Sequence, residues 1–172
     1  MEYRKVTAKD ASAIAALTRE LIESKSIIPG IHIPKNKFET FPTIIEQSIL
    51  KGTKLGNLVG HIAVDPKTKQ VVGYVGVFIS KPNTGKAFAV EDWLVTSPHY
   101  QKQGIASALR KLNEKALVKR EEQPNRIISR ASLLNMARRR LDKKTGYKTI
   151  KFNLRFDKYR FGLGVTRAKK LK

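Results

Sequence analysis

Hydrophobic positions along this chain alternate between a two-residue and a 3.6-residue period, and each change of period marks an element boundary. Glu2–Val6 reads as a short strand. Thr7-Ala-Lys-Asp10 then supplies hydroxyl and carboxylate groups able to accept from the free N–H groups of a helix start. Ile14, Leu17, Leu21 and Ile22 follow at helical spacing, which predicts a helix over residues 10–24. Pro29, Gly30, Pro34 and Pro42 break the next stretch into a loop, and Thr43–Leu50 reads as a second short helix. Leu58–Val64 and Val71–Ile79 are apolar and β-branched, joined as a hairpin by the polar residues 65–69, and Ala87–Thr96 is a third strand of that region. Gly104–Arg120 is a helix with Ile105, Ala106, Leu109, Leu112, Ala116 and Leu117 on its apolar face, which turns Arg110, Lys111, Lys115 and Lys119 toward solvent. After Pro124 and Asn125 come a strand over Arg126–Ala131 and a helix over Leu133–Lys144, capped by Gly146. Tyr147–Phe156 and Tyr159–Val165 read as a last pair of strands, with a bend at Gly162 and Gly164. Residues 166–172 form a basic, mobile tail. With no repeat and no linker, residues 1–165 make one domain, and helices bridging a sequential sheet imply a mixed α/β or α+β layer fold.

Composition narrows the function classes. At 172 residues and 41% hydrophobic the chain can bury a real core. No apolar run approaches 18 residues, so no membrane span is expected, and the N-terminus has no apolar signal core. The absence of cysteine excludes disulfides, thiolate metal sites and a cysteine nucleophile, and fits a cytoplasmic protein. His32, His61 and His99 share no metal-ligand spacing, so no metal is expected. The net charge of +21 is unevenly placed: residues 1–96 carry 13 Lys/Arg against 9 Asp/Glu, and residues 97–172 carry 22 against 5. Such a field favours a polyanionic partner such as RNA, DNA or a ribonucleoprotein, reached through residues 102–172.

The chemistry-bearing stretch joins the strand ending at Val95 to the helix opening at Gly104. A helix N-terminus presents unpaired N–H groups and about half a positive charge, which suits a phosphate. Gly104 lets backbone approach a ligand, Ala106 keeps the next turn small, Ser107 adds a hydroxyl and Lys102 a charge. Strand alternation puts Glu91, Trp93 and Val95 on one face and Asp92 and Leu94 on the other, so one carboxylate of the pair points into a cleft beside this junction.

The run from Val90 through Glu91-Asp92-Trp93-Leu94-Val95, then Pro98, then Gln101-Lys102-Gln103-Gly104-Ile105-Ala106, resembles motif A of the GNAT acetyltransferase superfamily, with one residue inserted between Val95 and Pro98. Tyr3 to Leu17 is similar to that family's first strand and helix, and Asn135 followed by Gly146-Tyr147 resembles its N…G-[FY] motif. The resemblance implies a mostly antiparallel mixed sheet of six to seven strands flanked by about four helices, and acetyl-CoA as acyl donor without a metal. It also implies donor contacts at Leu94, Val95, Gln101, Lys102, Gln103, Gly104, Ile105, Ala106, Ser107 and Asn135, with the 101–106 loop on the pyrophosphate and the central strand paired with the pantetheine arm. Family members with a Glu-Asp pair here commonly use the first as general base, which makes Glu91 the catalytic candidate. Many members place a tyrosine, the acid toward the leaving thiolate, four residues before G-[FY]; here that position is Asp142.

Two functions follow as expectations. One is N-acetyl transfer to a primary amine on an anionic or nucleic-acid-associated macromolecule, with the apolar loop Ser24–Pro42 over the acceptor. The other is a GNAT-shaped nucleic-acid-binding module with little transfer activity. Of the basic run Arg138, Arg139, Arg140, Lys143 and Lys144, at least one can reach a CoA phosphate or a larger anion.

Overall fold

The computed structural model describes residues 1–24, 40–83, 85–132, 135–157 and 160–171. Of the loop expected over Ser24–Pro42, residues 25–39 lie outside the described residues. Among the described residues seven strands form one sheet in the order β1-β2-β3-β4-β5-β7-β6. They are β1 (Glu2–Lys5), β2 (Leu58–Val64), β3 (Val71–Ser80), β4 (Phe88–Thr96), β5 (Arg126–Ser132), β6 (Lys148–Asp157) and β7 (Arg160–Lys170). Every neighbouring pair is antiparallel except β4 and β5. The helices are α1 (Ala11–Glu23), α2 (Thr40–Lys54), α3 (Ile105–Val118) and α4 (Met136–Lys144). This is the mixed, mostly antiparallel architecture expected.

Two cores sandwich the sheet. Ile14, Leu17 and Leu21 of α1 and Ile45 and Ile49 of α2 pack with Ile62, Tyr74 and Val95 on one face. Ile105, Leu109 and Leu117 of α3 pack with Val75, Val77, Ala89 and Ile127 on the other. Each fully buried aliphatic side chain contributes about 1.5–3 kcal/mol, so the helical stripes read from sequence are what seat the helices on the sheet. α2 begins at Thr40, ahead of the expected Thr43, because a proline in the first helical turn removes an N–H that has no intrahelical partner anyway.

Two expectations need correction. The stretch expected as a mobile tail is strand: β7 runs to Lys170, and Arg126 to Arg130 of β5 pair with Lys170 to Thr166. Its charges hid this, but Arg167 points inward to a buried carboxylate, which makes a basic inward residue tolerable. The register of β7 with β6 runs without a shift through Gly162 and Gly164. The second correction concerns β4. Gly76 pairs with Trp93 and Val77 with Glu91, which leaves Asp92 as an extra residue in a β-bulge. A bulge inverts the alternation beyond it. Trp93 and Val95 therefore pack on the α1/α2 face, whereas Glu91 is turned to the α3 face.

Candidate active site

β4 and β5 are hydrogen-bonded only at Ala89–Ile127, Val90–Ile128 and Glu91–Ser129. From Trp93 to Thr96, β4 is paired with β3 alone among the described residues. Two parallel strands that part in this way leave one edge of β4 with backbone groups unmatched, and such groups need a partner. Leu94 and Val95 lie on this stretch, Val95 fixed in the α1/α2 core and Leu94 against the α3 core. α1 braces the same stretch from below: the Trp93 indole N–H donates to Thr18 Oγ1 at 3.2 Å and the Ser97 hydroxyl to Glu20 Oε1 at 2.8 Å.

Ser97 belongs to the segment that carries the inserted residue, and the structure supplies its use. It is buried, its N–H bonds the Val72 carbonyl at 2.9 Å, and it opens a short 3₁₀ turn over Pro98–Tyr100. The Tyr100 hydroxyl bonds Asp65, so the loop is held at both ends of this turn. Gln101, Lys102, Gln103 and Gly104 are then exposed. Lys102 and Gly104 both have left-handed backbone, φ 62° and 82°, which curls the chain just before the first free N–H groups of α3. A Cβ on Gly104 would meet nothing within 4 Å, so the glycine is there for its φ and leaves open space above the helix N-terminus. Ile105 is buried and anchors the helix, while Ala106 and Ser107 are half-buried on the first turn. Asn135 is buried as the N-cap of α4, its Oδ1 accepting from the Arg138 N–H at 2.9 Å.

Below the point where the strands part lies a cluster of charges that sequence reasoning missed. Arg110 of α3 is 1% exposed, against the expectation that it faces solvent. Its guanidinium grips Glu91 with two bonds, Nε to Oε2 at 2.8 Å and Nη2 to Oε1 at 2.9 Å. It also donates to Asp142 Oδ1 at 2.7 Å and to Thr145 Oγ1 at 2.9 Å, and stacks 4.6 Å from the Tyr147 ring. Arg138 pairs with Glu91 as well, donates to Ser129 Oγ at 2.8 Å, and brings its Nε within 3.3 Å of Asp142, close enough for attraction but misaligned for a hydrogen bond. Arg167 completes the set with a 2.6 Å bond to Asp142 Oδ2. Burial holds the Arg138 guanidinium below its usual range and pushes the Tyr147 hydroxyl up to about 12. The signal for Arg110 was in the sequence: it sits with Asn113 among the apolar positions Ile105, Leu109 and Leu117, so α3 carries two polar groups on its buried side. Asn113 Nδ2 donates to the Val75 carbonyl at 2.9 Å, and its Oδ1 lies 2.6 Å from His61 Nδ1.

The family model for the GNAT acetyltransferases matches residues 32–147. The chain belongs to the GNAT family of acetyltransferases. No curated protein matches it by sequence. Among solved structures it is similar to the ribosomal-protein-S5-alanine acetyltransferase of Vibrio fischeri, with TM-score 0.75, 15% identity, and 99% of this chain and 92% of that one covered. It is also similar to the ribosomal-protein-alanine N-acetyltransferase of Brucella melitensis (TM-score 0.72, 19% identity, 99% and 100% covered). A third is Arabidopsis thaliana NAA60 in complex with acetyl-CoA (TM-score 0.71, 16% identity, 99% and 98% covered).

In this GNAT enzyme the two positions singled out for acid–base work are both drawn into the charge cluster. Glu91 has its oxygens against two guanidiniums on the α3 side of the sheet. Asp142 accepts from Arg110 and Arg167 and pairs with Arg138, so its carboxylate is engaged by three guanidiniums. Asp92, which the bulge pushes out of the strand, is exposed. No cluster of His, Asp or Glu among the described residues can hold a metal ion, and no helix among them is long and apolar enough to cross a membrane.

Proposed function

We propose that the protein transfers an acetyl group from acetyl-CoA to a primary amine on a macromolecular acceptor. The observation that carries the reading is the coincidence of the unpaired edge of β4 with the left-handed, glycine-entered N-terminus of α3. The backbone of Leu94 and Val95 would take the pantetheine arm as a substitute for the missing strand. Gln101, Lys102, Gln103 and Gly104, with the first N–H groups of α3 at Ile105, Ala106 and Ser107, would take the pyrophosphate. Asn135 stands at the head of α4, its Oδ1 engaged as the cap. The amine attacks the thioester carbon, the C–S bond breaks, and the amine proton must leave. Asp92 is better placed than Glu91 to receive that proton, because it is exposed at the bulge while Glu91 is gripped by two arginines. Calorimetry with acetyl-CoA tests the donor site: Gly104→Asp should abolish binding in a folded protein, and unchanged affinity would overturn the assignment.

Charge favours a second property of the same protein. Lys111 and Lys115 of α3, Lys119 at its C-cap, and Arg140, Lys143, Lys144 and Lys148 around α4 are exposed. Acetyl-CoA carries too few charges to account for a surplus of this size, so an anionic acceptor such as a ribonucleoprotein in the cytoplasm fits better than a free polyamine. Binding to single-stranded RNA should weaken with salt at a log–log slope of about −0.7 per phosphate neutralised. Lys111→Glu with Lys115→Glu should flatten that slope and spare acetyl-CoA affinity; no salt-dependent binding by the unaltered protein would refute the nucleic-acid reading.

A further inference from the structure

Arg110 and Arg167 already serve every oxygen of the two carboxylates in the charge cluster. Arg110 bonds both Glu91 oxygens and Asp142 Oδ1, and Arg167 bonds Asp142 Oδ2. Two anions and two cations make a closed, neutral set. Arg138 is the third cation. It crowds onto Glu91 Oε1 and Asp142 Oδ1, oxygens that Arg110 holds, and its Nε is buried with no hydrogen-bond partner. Burying a guanidinium without an anion of its own is strongly unfavourable, so the surplus needs a reason.

Its position supplies one. Arg138 donates to Ser129 Oγ, and Ser129 is the last β5 residue joined to β4, opposite Glu91. The guanidinium therefore lies on the α3 side of the sheet, at the fork where the two strands part. It is the least buried of the three, 11% exposed against 1% for Arg110 and 9% for Arg167. Beyond the fork the open edge of β4 offers a way in, lined by the half-buried Leu94 and Thr96. Thr96 pairs with Gly73, where a Cβ would stand 2.8 Å from Ile105, so Thr96 faces α3, and its hydroxyl too is buried without a partner. Two unsatisfied groups thus mark the two ends of one open edge on one face. With the diphosphate at the N-terminus of α3, beyond Thr96, the pantetheine arm descends this edge. About 13 Å of strand separate Thr96 from Asp92, within reach of the extended arm, so the thioester comes to the fork.

On the transferase reading above, we infer that Arg138 is a catalytic residue whose guanidinium pairs with the CoA sulfur as the C–S bond breaks. Nitrogen bonds to the thioester carbon, the electron pair of the C–S bond leaves with sulfur, and the amine proton passes to Asp92. Arg138 gives up no proton and stays charged throughout. The thiolate is held as an anion and takes its proton from solvent on release. Neutralisation of charge thereby replaces protonation of the leaving group, and the thiolate brings the cluster to three anions and three cations.

The test compares CoA with desulfo-CoA, in which hydrogen replaces the thiol, by calorimetry on the unaltered protein. A guanidinium beside a thiol lowers its pKa, so the thiolate binds more tightly than the thiol. The ratio of CoA affinity to desulfo-CoA affinity should therefore rise about tenfold between about pH 7 and pH 9, the equivalent of one pKa unit. Titration of the phosphates and of Asp92 affects both ligands and cancels in the ratio. A flat ratio would overturn the role of Arg138 and leave the transferase reading standing; failure to bind CoA or acetyl-CoA at all would overturn both. Arg138→Gln, which keeps an amide for Ser129 and removes the charge, should flatten the ratio. Acetyl-CoA affinity should stay within about threefold, because the thioester carries no charge. Turnover with a peptide bearing a free amino terminus, followed by thiol release, should fall about 10–100-fold in kcat with KM for acetyl-CoA unchanged. A twofold change or less in kcat, or a ratio that still rises with pH in the variant, would overturn the inference. The neutral set survives the substitution, so the melting temperature should fall by less than about 4 °C; a larger fall would show that Arg138 is needed to hold the cluster together and would overturn the inference as well.

Discussion

Glu91→Gln separates two readings of one carboxylate. If Glu91 were only a general base, the amide would leave the fold intact and lower turnover by about 10²–10⁴. The structure predicts a different result. The cluster below the strand junction contains two carboxylates and three guanidiniums, and Glu91 is one of the two. Its side chain is 1% exposed, and it receives two bonds from Arg110 and the pair with Arg138. Breaking a buried pair by removing one partner costs about 3–5 kcal/mol. The lower end applies, because Arg110 keeps Asp142 and Thr145 and Arg138 keeps Ser129. A loss of about 3 kcal/mol in a chain of this size lowers the melting temperature by about 6–12 °C. Calorimetric melting measures it, with acetyl-CoA titration as companion, and affinity should fall as well because the same residue pairs β4 with Ser129 at the last joined position of β5. A variant that melts within about 2 °C of the parent, binds acetyl-CoA normally and loses turnover would refute the reasoning and restore Glu91 as the base.

Two further outcomes follow from contacts outside the cluster. Ser97→Ala removes the bond to Glu20 and should cost about 1 kcal/mol and weaken acetyl-CoA binding severalfold, measured by melting and calorimetry; full affinity would show that the brace from α1 does not position the donor strand. Asp10 is held at about 2, chiefly by its hydrogen bonds from Arg4. A depressed carboxylate stabilises the fold above its unfolded pKa, about 3.9, and that contribution is lost as pH falls toward 2. Arg4 is half-exposed, so screening reduces it to about 1–2 kcal/mol. Asp10→Asn should remove this part of the acid limb in melts between pH 4 and 2, and an unchanged limb would show that the pair contributes nothing.

The elements were legible because their apolar stripes and turn residues are local: α1, α3, the hairpin of β2 and β3, and the glycine entry to α3 lie close to where period and punctuation put them. What escaped was non-local. The bulge at Asp92 exists only as a mismatch between β3 and β4, so no rule applied to β4 alone could have turned Glu91 to the other face. The strand over residues 166–170 reads as a charged tail until Arg167 is seen to meet Asp142. Arg110 was assigned to solvent for the same reason, since its partners Glu91 and Asp142 come from β4 and α4. Each error traded a burial cost visible in the sequence against a pairing visible only in three dimensions.

That trade bears on whether the tyrosine common at the Asp142 position of related enzymes could be put back. Asp142→Tyr looks like a gain of function, because it supplies a proton donor near a leaving thiolate. In this chain Asp142 is the carboxylate shared by Arg110, Arg138 and Arg167, and its side chain is 1% exposed. The substitution would leave Arg110 and Arg138 with Glu91 alone and Arg167 with no carboxylate, at about 3 kcal/mol or more, and force a ring into a filled site, at about 1–3 kcal/mol. Asp142→Tyr should therefore melt at least about 8 °C below the parent, from about 4 kcal/mol or more at about 2–4 °C each, and should not raise kcat. Pairing it with Arg167→Leu, which removes one stranded cation, should recover part of the melting temperature. A single variant that keeps its melting temperature and gains turnover would show that the cluster is dispensable and that the position retains the family's acid chemistry. The reason to expect otherwise is electrostatic. Asp142 has exchanged donating one proton for neutralising arginines on α3, α4 and β7, and a phenol cannot do the second of these.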